Sequence, residues 1–267
     1  MSNSLIIGQY VPGKSVIHRL DPRTKIIIIF FFVFIVFFAN SVLSYGVLTA
    51  FALASMFTTR IPMYYIIKGL TPVWFLIVFT FLLHLIVTKE GSVLIEFLGF
   101  KIYSGALIQG FAISMRFFLL ILVTSLLTLT TTPIEITDAI ENILHPLKKM
   151  KFPVHELALM MSISLRFIPT LMQETEKISR AQASRGVDFR TGPLKERVKA
   201  VVPLLVPLFV SAFKRAEDLA MAMEARGYQG GEGRTKLREL KIEKRDIFIY
   251  ILFVFVVAGL FFTRNWS

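Results

Sequence analysis

The chain has 267 residues, of which 55% are hydrophobic and only 18% are charged, whereas an ordinary soluble domain needs more charge to wet its surface. Lys and Arg outnumber Asp and Glu by 30 to 18, but they alternate with acidic residues rather than forming the patch that nucleic-acid binding requires. The balance is typical of a membrane protein that keeps its cations on one side of the bilayer, and the absence of cysteine excludes disulfides and thiolate sites.

Near the N-terminus, the segment Gly8–Ser15 matches the phosphate-loop pattern G-x-x-x-x-G-K-[ST] letter for letter. That loop binds nucleotide only between a strand and a helix, where successive backbone N–H groups surround the phosphates. Here Pro12 removes one of those donors, Pro22 follows within the next segment, and an apolar membrane stretch comes after it. We therefore predict that the match is not a nucleotide site.

Four long apolar stretches predict the membrane-spanning helices. Residues 26–59 contain no charge over 34 positions, which is too long for one span and rather short for two, since a spanning helix needs about 20 residues. Asn40 and Ser41 in the middle of this stretch favour a hairpin of two short helices. Three later stretches bring the predicted total to five spans, and these are Pro72–Thr88, Ser104–Thr131 and Ile247–Thr263.

The distribution of cations decides between one and two helices in residues 26–59. With two helices, 26 of the Lys and Arg residues lie on the N-terminal side of the membrane, 20 of them between positions 133 and 246. Only Lys89, Lys101 and Arg264 then lie on the other side. Because cations collect on the cytoplasmic side, we predict a plasma-membrane protein with a cytoplasmic N-terminus and an external C-terminus.

The predicted spans carry few groups that could do chemistry. Arg116 and His84 are the only ionisable residues deep within them, and no Asp or Glu is present. Ion-driven carriers normally need intramembrane carboxylates or broken helices for their coupling ion, which argues against that class. Ala106, Gly110 and Ser114 recur every four residues, a small-xxx-small pattern that favours close packing of helices.

The segment from 133 to 246 has mixed charge and predicts three helices. The first, Pro133–Lys149, has Thr132 as its N-cap and Glu135 in its first turn. The other two run from about Val154 to Arg185 and from about Leu194 to Arg226. The first is apolar from Leu157 to Met172 and the second from Val201 to Phe213, and each is charged beyond its apolar part. Such a helix suits a rod that leads from the bilayer into the cytoplasm, and a short membrane hairpin with charged ends is the alternative.

These two rods end alike, in Ser184-Arg185-Gly186 and in Ala225-Arg226-Gly227. The glycine is free to take the left-handed conformation that stops a helix, and the arginine lies where the helix dipole is negative. A single copy would be no more than a good helix end. Two copies, each at the charged tip of a similar rod, indicate arginines that bind carboxylates of a partner.

At this point the chain resembles the transmembrane T component (EcfT) of energy-coupling-factor transporters, which take up vitamins and transition metals in prokaryotes. Tyr10–Lys25, with the sequence YVPGKSVIHRLDPRTK, is similar to the opening segment of that family, and the pair of Arg-Gly helix ends carries the rest of the likeness. The resemblance covers nearly the whole chain. It implies an all-α, polytopic membrane protein with about five spans and long amphipathic coupling helices between the fourth and fifth spans.

The resemblance also implies partners. Two ABC-type ATPases would receive the helix ends in surface grooves, with acidic residues meeting the arginines and the motif residues being Ser184, Arg185, Gly186, Ala225, Arg226 and Gly227. Ser184 departs from the usual alanine. A substrate-binding S component is expected on the apolar faces, at Met160, Met161, Leu165, Ile168, Met172, Leu205 and Phe209. ATP would be bound by the partners, so no cofactor, metal, catalytic residue or nucleic acid is expected for this chain.

The expected organisation has four parts. These are a cytoplasmic segment 1–25, transmembrane helices in 26–131, a cytoplasmic coupling domain 132–246, and a last span with an external C-terminus in 247–267. Two other functions stay open, each in a different class. One is a self-contained membrane carrier or channel, and the other is a lipid-modifying hydrolase that would use His145, His155 and Glu156.

Overall fold

The computed structural model describes residues 10–97, 100–187, 193–230 and 240–264. In that part of the chain, α-helices predominate, and an antiparallel β-hairpin is the one departure from the predicted all-α, polytopic fold, which is otherwise confirmed. In chain order the elements are α1 Pro22–Phe37, α2 Val42–Thr59, α3 Met63–Val87, β1 Val93–Phe97, β2 Phe100–Tyr103, α4 Ser104–Thr130, α5 Pro133–Leu144, a 3-10 helix His145–Met150, α6 Val154–Ser184, α7 Leu194–Ala225 and α8 Lys244–Arg264.

The chain divides into two compact units, residues 1–143 with 240–267 and residues 144–239. In the first unit, helices α1, α2, α4 and α8 surround an apolar core. The largest side chains at its centre are almost completely buried, and they are Phe32, Val36, Leu48, Leu119, Leu122 and Leu260. Many other apolar side chains of the bundle face outward, with Phe30 57% and Phe37 55% exposed. Outward phenylalanines are unfavourable in water and suit contact with lipid.

The predicted hairpin in residues 26–59 is present as α1 and α2. Asp21 caps α1 by accepting a hydrogen bond from the Arg23 N–H at 2.8 Å, and Pro22 occupies the first turn, where no N–H is needed. α1 ends at Phe37, and Ser41 caps α2 by accepting from the Ser44 N–H at 3.2 Å. The polar pair at 40–41 therefore breaks the stretch where the sequence predicted.

By length and composition, four described helices can cross a membrane, namely α2, α4, α6 and α8. Helix α3 is bent by 55° at position 72. It is a fifth such helix if its two halves form one span. The bend falls at a proline, which has no N–H to continue the helix. Three features differ from the prediction. α1, predicted as a span, has only 16 residues and is not among these helices. α3 begins at Met63 instead of Pro72, and α6, expected to be too short in its apolar half, is long and apolar enough to qualify.

The small residues of α4 lie against α3, as the four-residue spacing predicted. Ala106, Gly110 and Ser114 are all buried. A Cβ added at Gly110 would come within 3.2 Å of the Phe81 ring, and the Ser114 hydroxyl donates to the Ile77 carbonyl at 3.4 Å. Close approach of the two helices therefore depends on these small side chains.

α5 begins with the predicted cap. The Glu135 N–H donates to the Thr132 hydroxyl at 3.3 Å, and the Thr132 N–H donates back to the Glu135 carboxylate at 3.0 Å, which forms a capping box. The α-helix ends at Leu144, five residues earlier than predicted, and continues as the 3-10 helix His145–Met150. Pro146 removes a backbone donor in that turn, which explains the tighter winding.

Candidate functional site

Helices α6 and α7 pack against each other in the second unit. Three sets of polar contacts join them, and the partners run in opposite directions along the chain: Gln182 with Pro203, Glu174 with Ser211 and Arg215, and His155 with Tyr228. The helices are therefore antiparallel. Their C-terminal ends, which carry the two arginine motifs, lie at opposite ends of the pair.

A proline explains one of these contacts. Pro207 has no N–H, so the carbonyl of Pro203, four residues earlier, lacks its usual donor within α7. The Gln182 amide of α6 donates to that carbonyl at 3.4 Å. In the middle of the pair, the Glu174 carboxylate accepts from the Ser211 hydroxyl at 2.6 Å and forms a half-buried ion pair with Arg215. Both contacts fix the register of α6 against α7.

The antiparallel packing changes the interpretation of the two rods. Two helices that both led from bilayer to cytoplasm would run in the same direction, and α6 and α7 do not. Instead, the apolar first half of α6 lies beside the charged second half of α7, and the apolar residues 201–213 of α7 lie beside the charged second half of α6. The pair therefore presents an apolar surface and a cationic tip at each of its ends.

Both arginine motifs end their helices in the same geometry. The Val187 N–H donates to the Gln182 carbonyl at 3.0 Å, and the Tyr228 N–H donates to the Met223 carbonyl at 3.0 Å. Gly186 has φ +86° and Gly227 has φ +70°, so each takes the left-handed conformation of a Schellman motif. The predicted role of these glycines as helix stops is confirmed.

The arginines themselves point to no partner within the described part of the chain. Arg185 and Arg226 are exposed, as are Ser184 and Ala225, and no ion pair or side-chain hydrogen bond joins either guanidinium to a described residue. Because α6 and α7 are antiparallel and about 30 residues long, the two tips are separated by roughly 35–40 Å along the pair. Two separate cationic sites result.

A second cation, Arg166, lies in the same groove as Arg226, and the sequence prediction did not single it out as a site residue. An open groove between α6 and α7 is lined by Arg166, Arg226 and Tyr228, with Leu159, Ile163 and Leu219 forming its apolar wall. Arg166 is exposed and lies on α6, about three turns of helix after its beginning. Its position within an apolar run was visible in the sequence, but only the antiparallel register places it beside Arg226.

The residues expected to contact an S component are mostly exposed. Met160 is 55% exposed and Phe209 is 61% exposed, and Met161, Met172 and Leu205 are also exposed, while Leu165 and Ile168 are half-buried. On α7 the exposed apolar surface is larger than predicted. It follows i, i+4 spacing along the face turned away from α6 and consists of Val201, Val202, Leu205, Val206, Phe209, Val210 and Phe213.

The phosphate-loop match folds as a local turn. The His18 ring lies against Gly13, where an added Cβ would come within 2.6 Å of it, and the Ser15 hydroxyl lies 2.6 Å from His18 Nδ1. Burial lowers the pKa of His18, while its hydrogen bond to the Val11 carbonyl opposes that effect. Residues 10–14 form no strand and lead into a turn, and Gly8 and Gln9 lie outside the described residues. Gly13 and Ser15 of the match thus have a structural role beside His18.

The opening segment ends in a buried polar junction at the base of the bundle. The Lys25 amine donates to the Thr130 carbonyl at 3.0 Å and to the Thr131 hydroxyl at 3.1 Å, at the end of α4. The Asp246 carboxylate, 1% exposed, accepts from the Asp21 N–H at 2.8 Å. The segment that carries the family resemblance therefore ties together the ends of α1, α4 and α8.

The hydrolase alternative gains no support from the geometry. His145 is exposed on the 3-10 helix, Glu156 is exposed on α6, and His155 lies 3.4 Å from the Tyr228 hydroxyl. Within the described ranges, no group of three or more His, Asp or Glu side chains could hold a metal ion.

Comparisons with known proteins agree with the resemblance. A family model described as CbiQ, cobalt transport protein, matches residues 13–237. The energy-coupling factor transporter transmembrane protein EcfT of Bacillus subtilis (strain 168) is 62% identical over 264 residues, which cover 99% of this chain and 100% of that protein. Proteins of the same name from Exiguobacterium sibiricum and Listeria innocua are 53% and 52% identical, and in each case the match covers at least 98% of both chains. The chain therefore belongs to the CbiQ family of multi-pass membrane transport proteins, among the non-catalytic EcfT transmembrane components of energy-coupling factor transporters.

Proposed function

We propose that this chain is the subunit that couples ATP hydrolysis to transport in an importer of micronutrients such as vitamins. Two ABC-type ATPases would bind the arginine tips of α6 and α7, and a substrate-binding S component would bind the apolar surfaces of the same helices. ATP would be bound by the ATPases and not by this chain. The observation that supports the proposal best is the antiparallel pair of helices with one exposed arginine at each end.

Two separated tips suit two ATPases. An arginine held at the end of a rigid helix can form two parallel hydrogen bonds to a carboxylate, and the Schellman geometry fixes the backbone from which it extends. A separation of roughly 35–40 Å is too large for both arginines to enter one groove. Each tip would therefore meet its own subunit, and motion of either subunit would be transmitted along the rod.

The apolar surface suits a membrane partner. The exposed face of α7 carries Val, Leu and Phe and turns away from α6, so it is free to bind a further helix or protein. In this proposal the cytoplasm contains the N-terminus and the segment between α4 and α8, following the excess of cations there. The C-terminus would then be external.

The tips can be tested by reversing their charge. Exposed ion pairs contribute about 0.2–1 kcal/mol, whereas breaking a desolvated pair costs about 3–5 kcal/mol. If the tips dock in ATPase grooves, the double variant Arg185→Glu/Arg226→Glu should insert into the membrane normally but fail to co-purify with the ATPases. Quantification of the ATPases retained with the affinity-tagged chain provides the measurement.

The chain offers a matched control on the same helices. Lys177→Glu/Lys214→Glu makes the same change of charge at exposed positions away from the tips. We expect this variant to retain the ATPases. Normal co-purification and transport in the arginine variant would refute the coupling role, and equal loss in both variants would reduce the effect to net charge.

A further inference from the structure

A crevice opens in the first unit at the end of the bundle where α2 ends and α8 begins. It encloses about 150 Å³, a volume that in other proteins admits an apolar molecule the size of benzene. Its lining is almost entirely apolar and comes from the opening segment and four helices. Ile17, Ile28, Ala54, Thr58, Leu126 and Leu252 are among the lining residues.

The crevice exists because α2 and α8 meet mainly at their other end. There, the Ser44 and Thr263 hydroxyls lie 3.0 Å apart. Nearer the middle, the Phe51 and Phe253 rings have centroids 5.8 Å apart. Beyond Phe51, the side chains that α2 turns to the crevice are the small residues Ala54, Ser55 and Thr58, which leave the space unfilled.

The crevice is open to the surroundings of the bundle. Ala54 and Thr58 are exposed, and Leu252 is 40% exposed, although all three line it. On a helix bundle of a membrane protein, an open apolar crevice faces hydrocarbon chains. A few methylene groups of a lipid acyl chain have the flexibility and the width to enter it, and their entry removes a void that would otherwise forfeit dispersion contacts.

Two arginines border the same end of the bundle. Arg60 lies two residues after the lining residue Thr58 and caps α2, and Arg19 lies between the lining residues Ile17 and Leu20. Both arginines are exposed, and neither has an ion pair with a described residue. The amine of Lys25, which also borders the crevice, is by contrast occupied by Thr130 and Thr131. The free cations therefore favour a negatively charged headgroup.

We propose that this crevice binds one anionic phospholipid, with an acyl chain between α2 and α8 and its phosphate on Arg19 and Arg60. The site is independent of the ATPase-binding role. It selects its lipid by charge, because the tails of all bilayer lipids are equally apolar and only the headgroup distinguishes them.

Photocrosslinking in vesicles tests the site. The full-length chain, with any co-purified partners, is reconstituted in phosphatidylcholine vesicles that contain a trace of phosphatidylglycerol with a photoactivatable acyl chain. Mapping of the adducts by mass spectrometry should place them on the α2 segment 54–58 and on the α8 segment 249–252. A phosphatidylcholine probe with the same acyl chain should label these segments much less. Removal of each arginine, as Arg19→Gln or Arg60→Gln, should lower labelling by the phosphatidylglycerol probe about fivefold.

Two control pairs separate the proposal from its competitors. Ala54→Phe fills the crevice and should abolish labelling, whereas Ala50→Phe, one turn earlier on the exposed surface of α2, should not. Lys14→Gln/Lys68→Gln removes two exposed cations that do not line the crevice and should leave labelling unchanged. Equal labelling by both probes, or labelling that survives Ala54→Phe, would overturn the proposal.

Discussion

At the scale of single residues, the two glycines that end α6 and α7 are required for their backbone conformation and not for lack of room for a side chain. An added Cβ at Gly186 or Gly227 would meet nothing within 4 Å, yet both residues have positive φ. Any other L-residue would have to adopt the left-handed conformation at a cost of about 1–2 kcal/mol. The cost is smaller for asparagine than for alanine, because the asparagine amide can form a local hydrogen bond. Glycine thus holds the arginine before it in a defined direction.

This conformational requirement yields a graded prediction. Gly186→Ala and Gly227→Ala should each weaken retention of the ATPases because the last turn rearranges and re-aims the arginine. The corresponding asparagine variants should retain more ATPase than the alanine variants, since asparagine tolerates positive φ. Comparison of the amounts that co-purify under identical washing provides the measurement. Equal retention in glycine, asparagine and alanine proteins would show that the direction of the arginine is unimportant.

Arg116 illustrates what a sequence cannot assign at this scale. The sequence placed it deep in a span with no acidic partner, so its role stayed open. Its guanidinium donates to the Tyr45 hydroxyl at 3.2 Å and lies 5.1 Å from the centre of the Phe37 ring. A cation can be accommodated in this way by an aromatic ring and a hydroxyl from neighbouring helices. No periodic pattern encodes that arrangement, because its members are 71 and 79 residues away.

At the scale of elements, the junction of α1, α4 and α8 makes stability depend on pH. Lys25, which precedes the apolar stretch that begins at Ile26, is 6% exposed. Burial lowers its pKa from 10.5 to about 8, with Glu135 and Asp246 opposing the shift. Since the folded state releases its proton more readily than the unfolded state, the unfolded state binds more protons between pH 8 and 10.5, and stability contributed by this group rises with pH there.

We therefore expect the midpoint temperature of thermal unfolding, measured in detergent, to rise for the wild-type protein relative to a Lys25→Met variant as the pH is raised from 8 to 10. The shift corresponds to a free energy on the order of 3 kcal/mol at most. The variant serves as the reference because both proteins share every other titrating group. Parallel pH profiles for the two proteins would mean that Lys25 keeps an ordinary pKa.

The elements also show which structural features can be predicted from residues that are close together in the sequence. The cap of α5, the break between α1 and α2, and the glycine ends of α6 and α7 depend on neighbours within a few residues, and the sequence predicted each of them. The register of α6 against α7 depends on Glu174 meeting Arg215 and on Gln182 finding the carbonyl that Pro207 leaves without a donor. The orphaned carbonyl can be deduced from the sequence, but its partner 21 residues away cannot.

At the scale of the whole molecule, the same limit affected the predicted architecture. Two helices with similar gradients from apolar to charged were each interpreted as a rod that leads from the bilayer into the cytoplasm, because a gradient says nothing about the neighbouring helix. The antiparallel packing instead separates the arginine tips and gives the pair two equivalent ends. Contacts between residues far apart in the chain, and not the local pattern, specify this arrangement.

The predicted orientation of the whole chain rests on the positive-inside rule and can be tested directly, because the protein has no cysteine and any introduced thiol is unique. Lys89→Cys and Lys149→Cys form a matched pair, since both replace an exposed lysine. On intact cells, a membrane-impermeant thiol reagent should label the cysteine at 89, which follows α3. The cysteine at 149, in the turn before α6, should react only after the cells are permeabilised. The opposite pattern would place the cation-rich segment outside, where it could not meet ATPases that consume cytoplasmic ATP.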